Sequence, residues 1–274
     1  MIPLRDHNPT HSKPIVTRAL FLITIAVFVV LQPRNGSPAL LELRPPDRSR
    51  ANERVSEPPV LEDEFLYWQA AVPCEILANT PLDQVEVEAV LNGRIDECVR
   101  ATRDVGVVFP SKHPAVSILV SMFLHGGWFH LLGNMLFLWI FANNVEDRFG
   151  PVRFLLFYVA SGIVATLTHV ASDPNSLVPV VGASGAIAGV MGAYLVLFPR
   201  ARVTSVLAFL PVFPIRVPAW LLLGLWFLSQ FWVNPNDGVA WVAHVGGFVF
   251  GVFVTALVRS RLRDDADVDA YARS

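Results

Sequence analysis

The sequence predicts an all-α membrane protein: a bundle of six transmembrane helices with a long polar first extracytoplasmic loop. Three observations carry this. Of the 274 residues, 53% are hydrophobic and 16% charged, whereas soluble domains carry about a quarter charged residues. Mean hydropathy is +0.49. Six apolar segments recur along the chain, each long enough or nearly so to cross about 30 Å of hydrocarbon as a helix.

In chain order, residues 1–14 read as a tail. Residues 15–32 hold the first apolar stretch, with its core at 19–31 and with Lys13 and Arg18 near its start. It reads as a transmembrane helix or as a signal peptide. Residues 33–114 are polar and carry Pro45-Pro46 and Pro58-Pro59. They read as a solvated loop or small insertion, with a short helix within 83–103. Residues 115–258 contain five further spans, at about 127–143, 153–171, 182–197, 217–233 and 238–258. Turn chemistry separates them, at Phe149-Gly150-Pro151, Asp173-Pro174-Asn175, Pro199, Pro211 with Pro214, and Asn234-Pro235-Asn236-Asp237-Gly238. Residues 259–274 form a charged tail.

Charge orients this bundle. A cytoplasmic N-terminus places Arg5, Lys13, Arg18, Arg148, Arg153, Arg200, Arg202, Arg216 and the arginines of the C-terminal tail on the cytoplasmic side. The two short loops on the other side then hold no Lys or Arg, and long loops are largely exempt from the rule. Both termini therefore read as cytoplasmic, in the cell membrane. The same topology puts Cys74 and Cys98 outside, where an oxidising compartment allows a disulfide that closes the loop; two unpaired thiols are the alternative. The formal net charge of -2 gives no basic balance for nucleic acid. Neither C-x-x-C nor His-Glu-x-x-His occurs, so no metal or other cofactor is expected.

Polar groups at membrane depth are costly and mark function. His130 and Asn134 are four apart, on one helix face, and can aim two donors at one point; they can also bond to neighbouring helices. Ser184 opens a predicted helix within Gly182-Ala-Ser184-Gly185, where free N–H groups and the positive helix end suit an anion. Gly185 and Gly189 also suit close helix packing. His244 shares a stripe with Gly247 and Gly251, which can press against a glycine-bearing helix such as that of Ser184. Alone, it also fits a buried histidine bonded to a carbonyl. Together the four supply a nucleophile, a base and oxyanion donors.

The ordered set His125-Gly-Gly-Trp-Phe-His130-Leu-Leu-Gly-Asn134, Glu146-Asp-Arg148-Phe-Gly150, Gly182-Ala-Ser184-Gly185 and Ala243-His244-Val-Gly-Gly247-x-x-x-Gly251 resembles the rhomboid family of intramembrane serine proteases. The resemblance spans about 117–258. It implies a six-helix core with a site below the outer surface, in a water-filled cavity. It also implies a Ser–His dyad without an acidic third member, Ser184 being the nucleophile and His244 the base. His130, Asn134 and the Ser184 N–H would bind the oxyanion. His125 and the Glu146–Arg148 pair would be structural, ordering the first loop and the turn after the second helix. Ala188 stands where some members stack a tyrosine on the histidine, so the motifs do not name the group that orients His244. The tryptophan–arginine pair of the family's first loop is not recognisable.

The implied activity is an intramembrane serine endopeptidase acting on transmembrane helices of other membrane proteins near the extracytoplasmic face. Such a helix must unwind to be cut, and the aromatic stretch 220–232 is a candidate gate. A catalytically silent relative that binds or traffics membrane proteins is the alternative, and would be marked by loss of the serine or histidine. A small transporter would favour internal repeats or broken helix pairs, which the sequence lacks.

Overall fold

The computed structural model describes residues 1–32, 64–99, 106–207, 210–234 and 238–262. The two diproline pairs, the end of the 83–103 stretch, the centre of the 234–238 turn and most of the C-terminal tail lie outside the described residues.

Helix α1 (Ile15–Ala26) runs on through a widened π-helical turn, Val27–Leu31. Three short helices follow, α2 (Glu64–Gln69), α3 (Pro73–Ala78) and α4 (Gln84–Leu91). Then come α5 (Pro114–Ser121), α6 (Trp128–Phe149), α7 (Pro151–Ser172) and α8 (Ser184–Leu197). Helix α9 (Ala219–Ser229) ends in a 3-10 turn, Gln230–Trp232, and α10 (Trp241–Val258) follows. Helices α7 and α10, the latter with its extension to Arg261, are long and apolar enough to cross a membrane; Ile15–Leu31, Ser184–Leu197 and Ala219–Trp232 are shorter apolar helices. Every long helix but α8 also turns large apolar side chains outward, such as Leu22, Phe129, Leu156 and Phe253, a distribution suited to lipid.

Helix α8 is the centre. Gly185 to Tyr194 are all buried. Helix α10 packs along α8 in the same direction, backbone to backbone. A Cβ on Gly247 would overlap the Gly185 carbonyl, and one on Gly251 would overlap that of Gly189. Ser161 of α7 fills the space beside Gly189, and its Oγ returns to the Phe157 carbonyl at 2.8 Å. Small residues therefore set the helix separation, as in other membrane bundles.

The all-α expectation needs correction. A three-stranded antiparallel sheet joins β1 (Ile2–Asp6), β2 (Arg202–Leu207) and β3 (Leu210–Pro218), in that order. Ile2 pairs with Val206 and Val203 with Val217. Pro211 and Pro214, which read only as breaks, lie with Pro3 in the outer strands, where proline is tolerated, and the Val- and Thr-bearing β2 lies between them. The segment 1–14 is accordingly no free tail. Asp6 accepts from Asn144 Nδ2 and from the Tyr194 hydroxyl, both at 2.7 Å. Burial pushes the Asp6 carboxyl above its ordinary 3.8, and the Tyr194 hydroxyl with backbone N–H groups offsets part of that.

The polar stretch 33–114 also proves more ordered than a solvated loop over 64–99. Tyr67, Val72, Cys74, Leu82, Val87 and Leu177 share a second small core. Its predicted helix is shorter than 83–103. An Asp83–Glu86 capping box starts α4, and the chain leaves it through Asn92 and Gly93, the latter at φ +75°.

Gly251→Leu should lower stability in detergent micelles by at least the 1–3 kcal/mol typical of overpacking, about one side chain's worth. Gly224→Ala on α9, where an added Cβ meets nothing within 4 Å, should leave the thermal midpoint near that of the unchanged chain.

Candidate active site

Ser184 is the first residue of α8, capped on its N-terminal side by Ala183. The preceding turn requires Gly182, whose φ of +117° excludes a side chain at low strain. Opening the helix here leaves the first N–H groups of α8, beginning with that of Ser184, without intrahelical partners. His244 lies in the first turn of α10. The glycine contacts described above carry the two first turns together, and His244 Nε2 stands 2.8 Å from Ser184 Oγ. The other ring nitrogen, Nδ1, stands 2.8 Å from Gln230 Oε1. The Trp226 ring flanks the imidazole, with centroids 6.0 Å apart.

His130 enters from the first turn of α6. A Cβ on Gly182 would meet its Cε1 and Nε2 at 2.8 Å and Ser184 Oγ at 3.5 Å, so its Nε2 edge borders the serine. The Gly126 N–H approaches His130 Nδ1 at 3.4 Å, which leaves the ring proton on Nε2, the edge facing the site. Asn134 is buried one turn below. Its Nδ2 donates to the His130 carbonyl at 2.9 Å, so one of its two amide hydrogens is already committed. The structure thus brings Ser184, His244 and His130 to one point and sets Asn134 behind His130.

His125 works elsewhere. Its N–H donates to Gln32 Oε1 at 3.1 Å, and Gln32 Nε2 donates to its carbonyl at 2.6 Å. This paired bond ties the end of α1 to the loop before α6, and the His125 ring packs edge-on against His130. Glu146 and Arg148 both lie in the last turn of α6. Glu146 accepts the N–H groups of Val16 and Thr17 and the Thr17 hydroxyl, at 2.7–2.8 Å. It thereby caps the N-terminus of α1, which has no side-chain cap of its own. Asp147 beside it receives the N–H groups of His11 and Ser12, each at 2.8 Å. Arg148 also lies over the Phe198 ring.

The insertion holds the loop that leads to Ser184. The Cys74 N–H donates to the Ser176 carbonyl, Leu177 N–H to Ile95, and Val180 N–H to Ala71. Ser121 receives the Ala71 N–H on its hydroxyl and the Gly182 N–H on its carbonyl. Cys74 and Cys98 are joined in a disulfide, with Cα atoms 5.7 Å apart. Lys112 and Glu75 form a buried ion pair in the same unit; burial pulls the lysine ammonium below its ordinary range, and the Glu75 carboxylate pushes back. Gln230 and the docking residues Ser121 and Ser176 went unnoticed in the sequence. Gln230 is the one with a visible signal, an amide inside an otherwise apolar and aromatic run.

Residues 112–261 match the Rhomboid domain, more than half of the chain, and the chain belongs to the rhomboid family. That family is integral to membranes and consists generally of intramembrane serine proteases. The chain is 32% identical over 146 residues to Rhomboid protein 1, mitochondrial, of Saccharomyces cerevisiae, covering 50% of this chain and 40% of that one. It is 41% identical over 78 residues to the putative rhomboid protease YdcA of Bacillus subtilis, 28% of this chain and 39% of that one. It is 33% identical over 139 residues to the rhomboid protease GluP of the same organism, 51% of this chain and 25% of that one. The chain thus spans less than half the length of each of these relatives.

Replacing Cys74 and Cys98 by serine opens a ring with a sequence separation of 24, and the insertion should lose about 3 kcal/mol of stability on the chain-entropy account. Hydrogen exchange should then rise at Leu177 and Val180, whose N–H groups are held by the insertion.

Proposed function

We propose that this protein is an intramembrane serine endopeptidase that cuts transmembrane segments of other membrane proteins by a Ser184–His244 mechanism. The observation that carries the reading is the 2.8 Å contact between Ser184 Oγ and His244 Nε2 at the adjoining first turns of α8 and α10. Ser184 attacks the scissile carbonyl while His244 takes its proton. The His130 Nε2–H, the Ser184 N–H and Asn134 meet the oxyanion, and such preorganised donors supply a large share of the rate in a dry site. His244 then returns the proton to the leaving amine.

Six spans, with both termini in the cytoplasm, go with this reading. Helices α1 and α6 to α10 supply them, and the insertion lies outside with the entrance to the site. The sheet, beside Arg5, Arg202 and Arg216, lies on the cytoplasmic side, where positive charge is favoured. The cell membrane is the proposed location. Helix α9 is the proposed gate. It meets α6 through Trp226 and Phe137, with centroids 6.5 Å apart, and leaves Trp220, Leu228, Phe231 and Trp232 exposed.

Purified protein in liposomes should cleave a transmembrane-helix reporter. Ser184→Ala and His244→Ala should each lower kcat at least about 1000-fold, as loss of a member of such a unit does. His130→Ala should cost about 100- to 1000-fold, the usual loss for one oxyanion donor. Equal inertness of wild type and both variants, with no labelling of Ser184 by a serine-reactive phosphonate, would transfer the assignment to a non-catalytic binding role. A covalent link between α9 and α6 should slow cleavage of a helical reporter and leave phosphonate labelling unchanged; an unaltered cleavage rate would remove α9 as the gate.

A further inference from the structure

We propose that Gln230 is a positioning residue for the Ser184–His244 pair, its side-chain amide holding His244 in the one tautomer that can accept the serine proton. The inference rests on the proteolytic reading above.

The argument follows hydrogen-bonding capacity along one chain of contacts. Gln230 forms the first residue of the 3-10 turn that ends α9, and it is 6% exposed. One end of its amide lies 3.1 Å from the Trp226 carbonyl. A carbonyl can only accept, so the nitrogen faces Trp226 and the oxygen faces away from it. That oxygen stands 2.8 Å from His244 Nδ1. It too can only accept, so the ring proton resides on Nδ1. His244 Nε2 is then left with a lone pair, and Ser184 Oγ lies 2.8 Å from it. The orientation of the base is thus written into the backbone of α9, through a neutral amide rather than a carboxylate.

Two further features support a positioning role. The Ser229 hydroxyl lies 3.3 Å from Gln230 Nε2 and its own proton goes to the Trp226 carbonyl at 2.6 Å, so the amide nitrogen sits in a preset frame. The Trp226 ring beside the imidazole restricts its tilt from the flank. Ala188, the α8 residue one turn beyond Ser184, is fully buried and carries no ring that could do this.

The experiment compares Gln230→Met, which keeps length and removes the acceptor, with Gln230→Glu, which keeps an acceptor oxygen toward His244. Both are assayed in liposomes beside wild type and Ser184→Ala. Gln230→Met should lower kcat about 10- to 100-fold, the effect of one orienting hydrogen bond in a buried site. KM and the thermal midpoint should stay unchanged, and phosphonate labelling of Ser184 should slow by a similar factor. Gln230→Glu should retain most of the wild-type kcat. Wild-type kcat in Gln230→Met would overturn the positioning role while cleavage by wild type and inertness of Ser184→Ala leave the proteolytic reading standing. Equal impairment of both variants with a lowered thermal midpoint would also overturn it, by assigning Gln230 to packing. A wild type that neither cleaves nor labels would overturn the proteolytic reading, and this inference with it.

Discussion

Close backbone contact between α8 and α10 is the constraint on which the rest of the molecule depends. The two helices run in the same direction and touch through Gly185 with Gly247 and Gly189 with Gly251. Side chains at those positions would push the helices apart by more than a hydrogen bond can stretch. The polar pair lies at the N-terminal end of this contact, so its geometry is inherited from helix packing rather than from a flexible loop. In lipid, where helices gain little from burying apolar surface against one another, such tight van der Waals contact is a principal source of association. The feature that holds the bundle together is therefore the one that brings Ser184 beside His244.

Around that pair, support arrives from every side and by different means. His130 approaches from α6, and its ring meets that of His125 edge-on, His125 being tied by Gln32 to the end of α1. The insertion fixes the loop before Ser184 from outside the bundle through backbone bonds and a disulfide. Gln230 reaches in from α9, whose outer surface is exposed aromatic and aliphatic side chains. The orienting amide thus sits on the least enclosed of the helices around the site. Displacement of α9 would change the setting of the imidazole, because Gln230 Oε1 stands 2.8 Å from His244 Nδ1.

The residues legible in the sequence were those whose neighbours are local. His130 and Asn134 show themselves by a spacing of four, and Ser184 and His244 by the glycines that share their helices. What was not legible depends on partners far along the chain. The strand Ile2–Asp6 holds two charged residues and a proline, and only β2, some 200 residues later, makes it a strand. The part Glu146 plays at the start of α1 rests on the Val16 and Thr17 N–H groups, some 130 positions earlier. In the insertion, acidic residues are scattered through 64–99, and Tyr67, Val72, Cys74 and Leu82 are spaced too irregularly to announce a core. Gln230 is fourteen residues from His244 on another helix, a distance at which no helical period operates.

The sheet also has a bearing on how the chain is made. His7 meets Thr204 across 197 positions, and the Ser12 N–H reaches Asp147 across 135. A ribosome finishes β1 first and β2 only after α8 has been synthesised. The N-terminal segment must therefore wait, unpaired, through most of translation, and closure over so long a span comes late because its entropy is met before any pairing is gained. Docking of β1 then serves as a seal on assembly: it can form only when α6, α8 and the strand beyond α8 already stand in their final places.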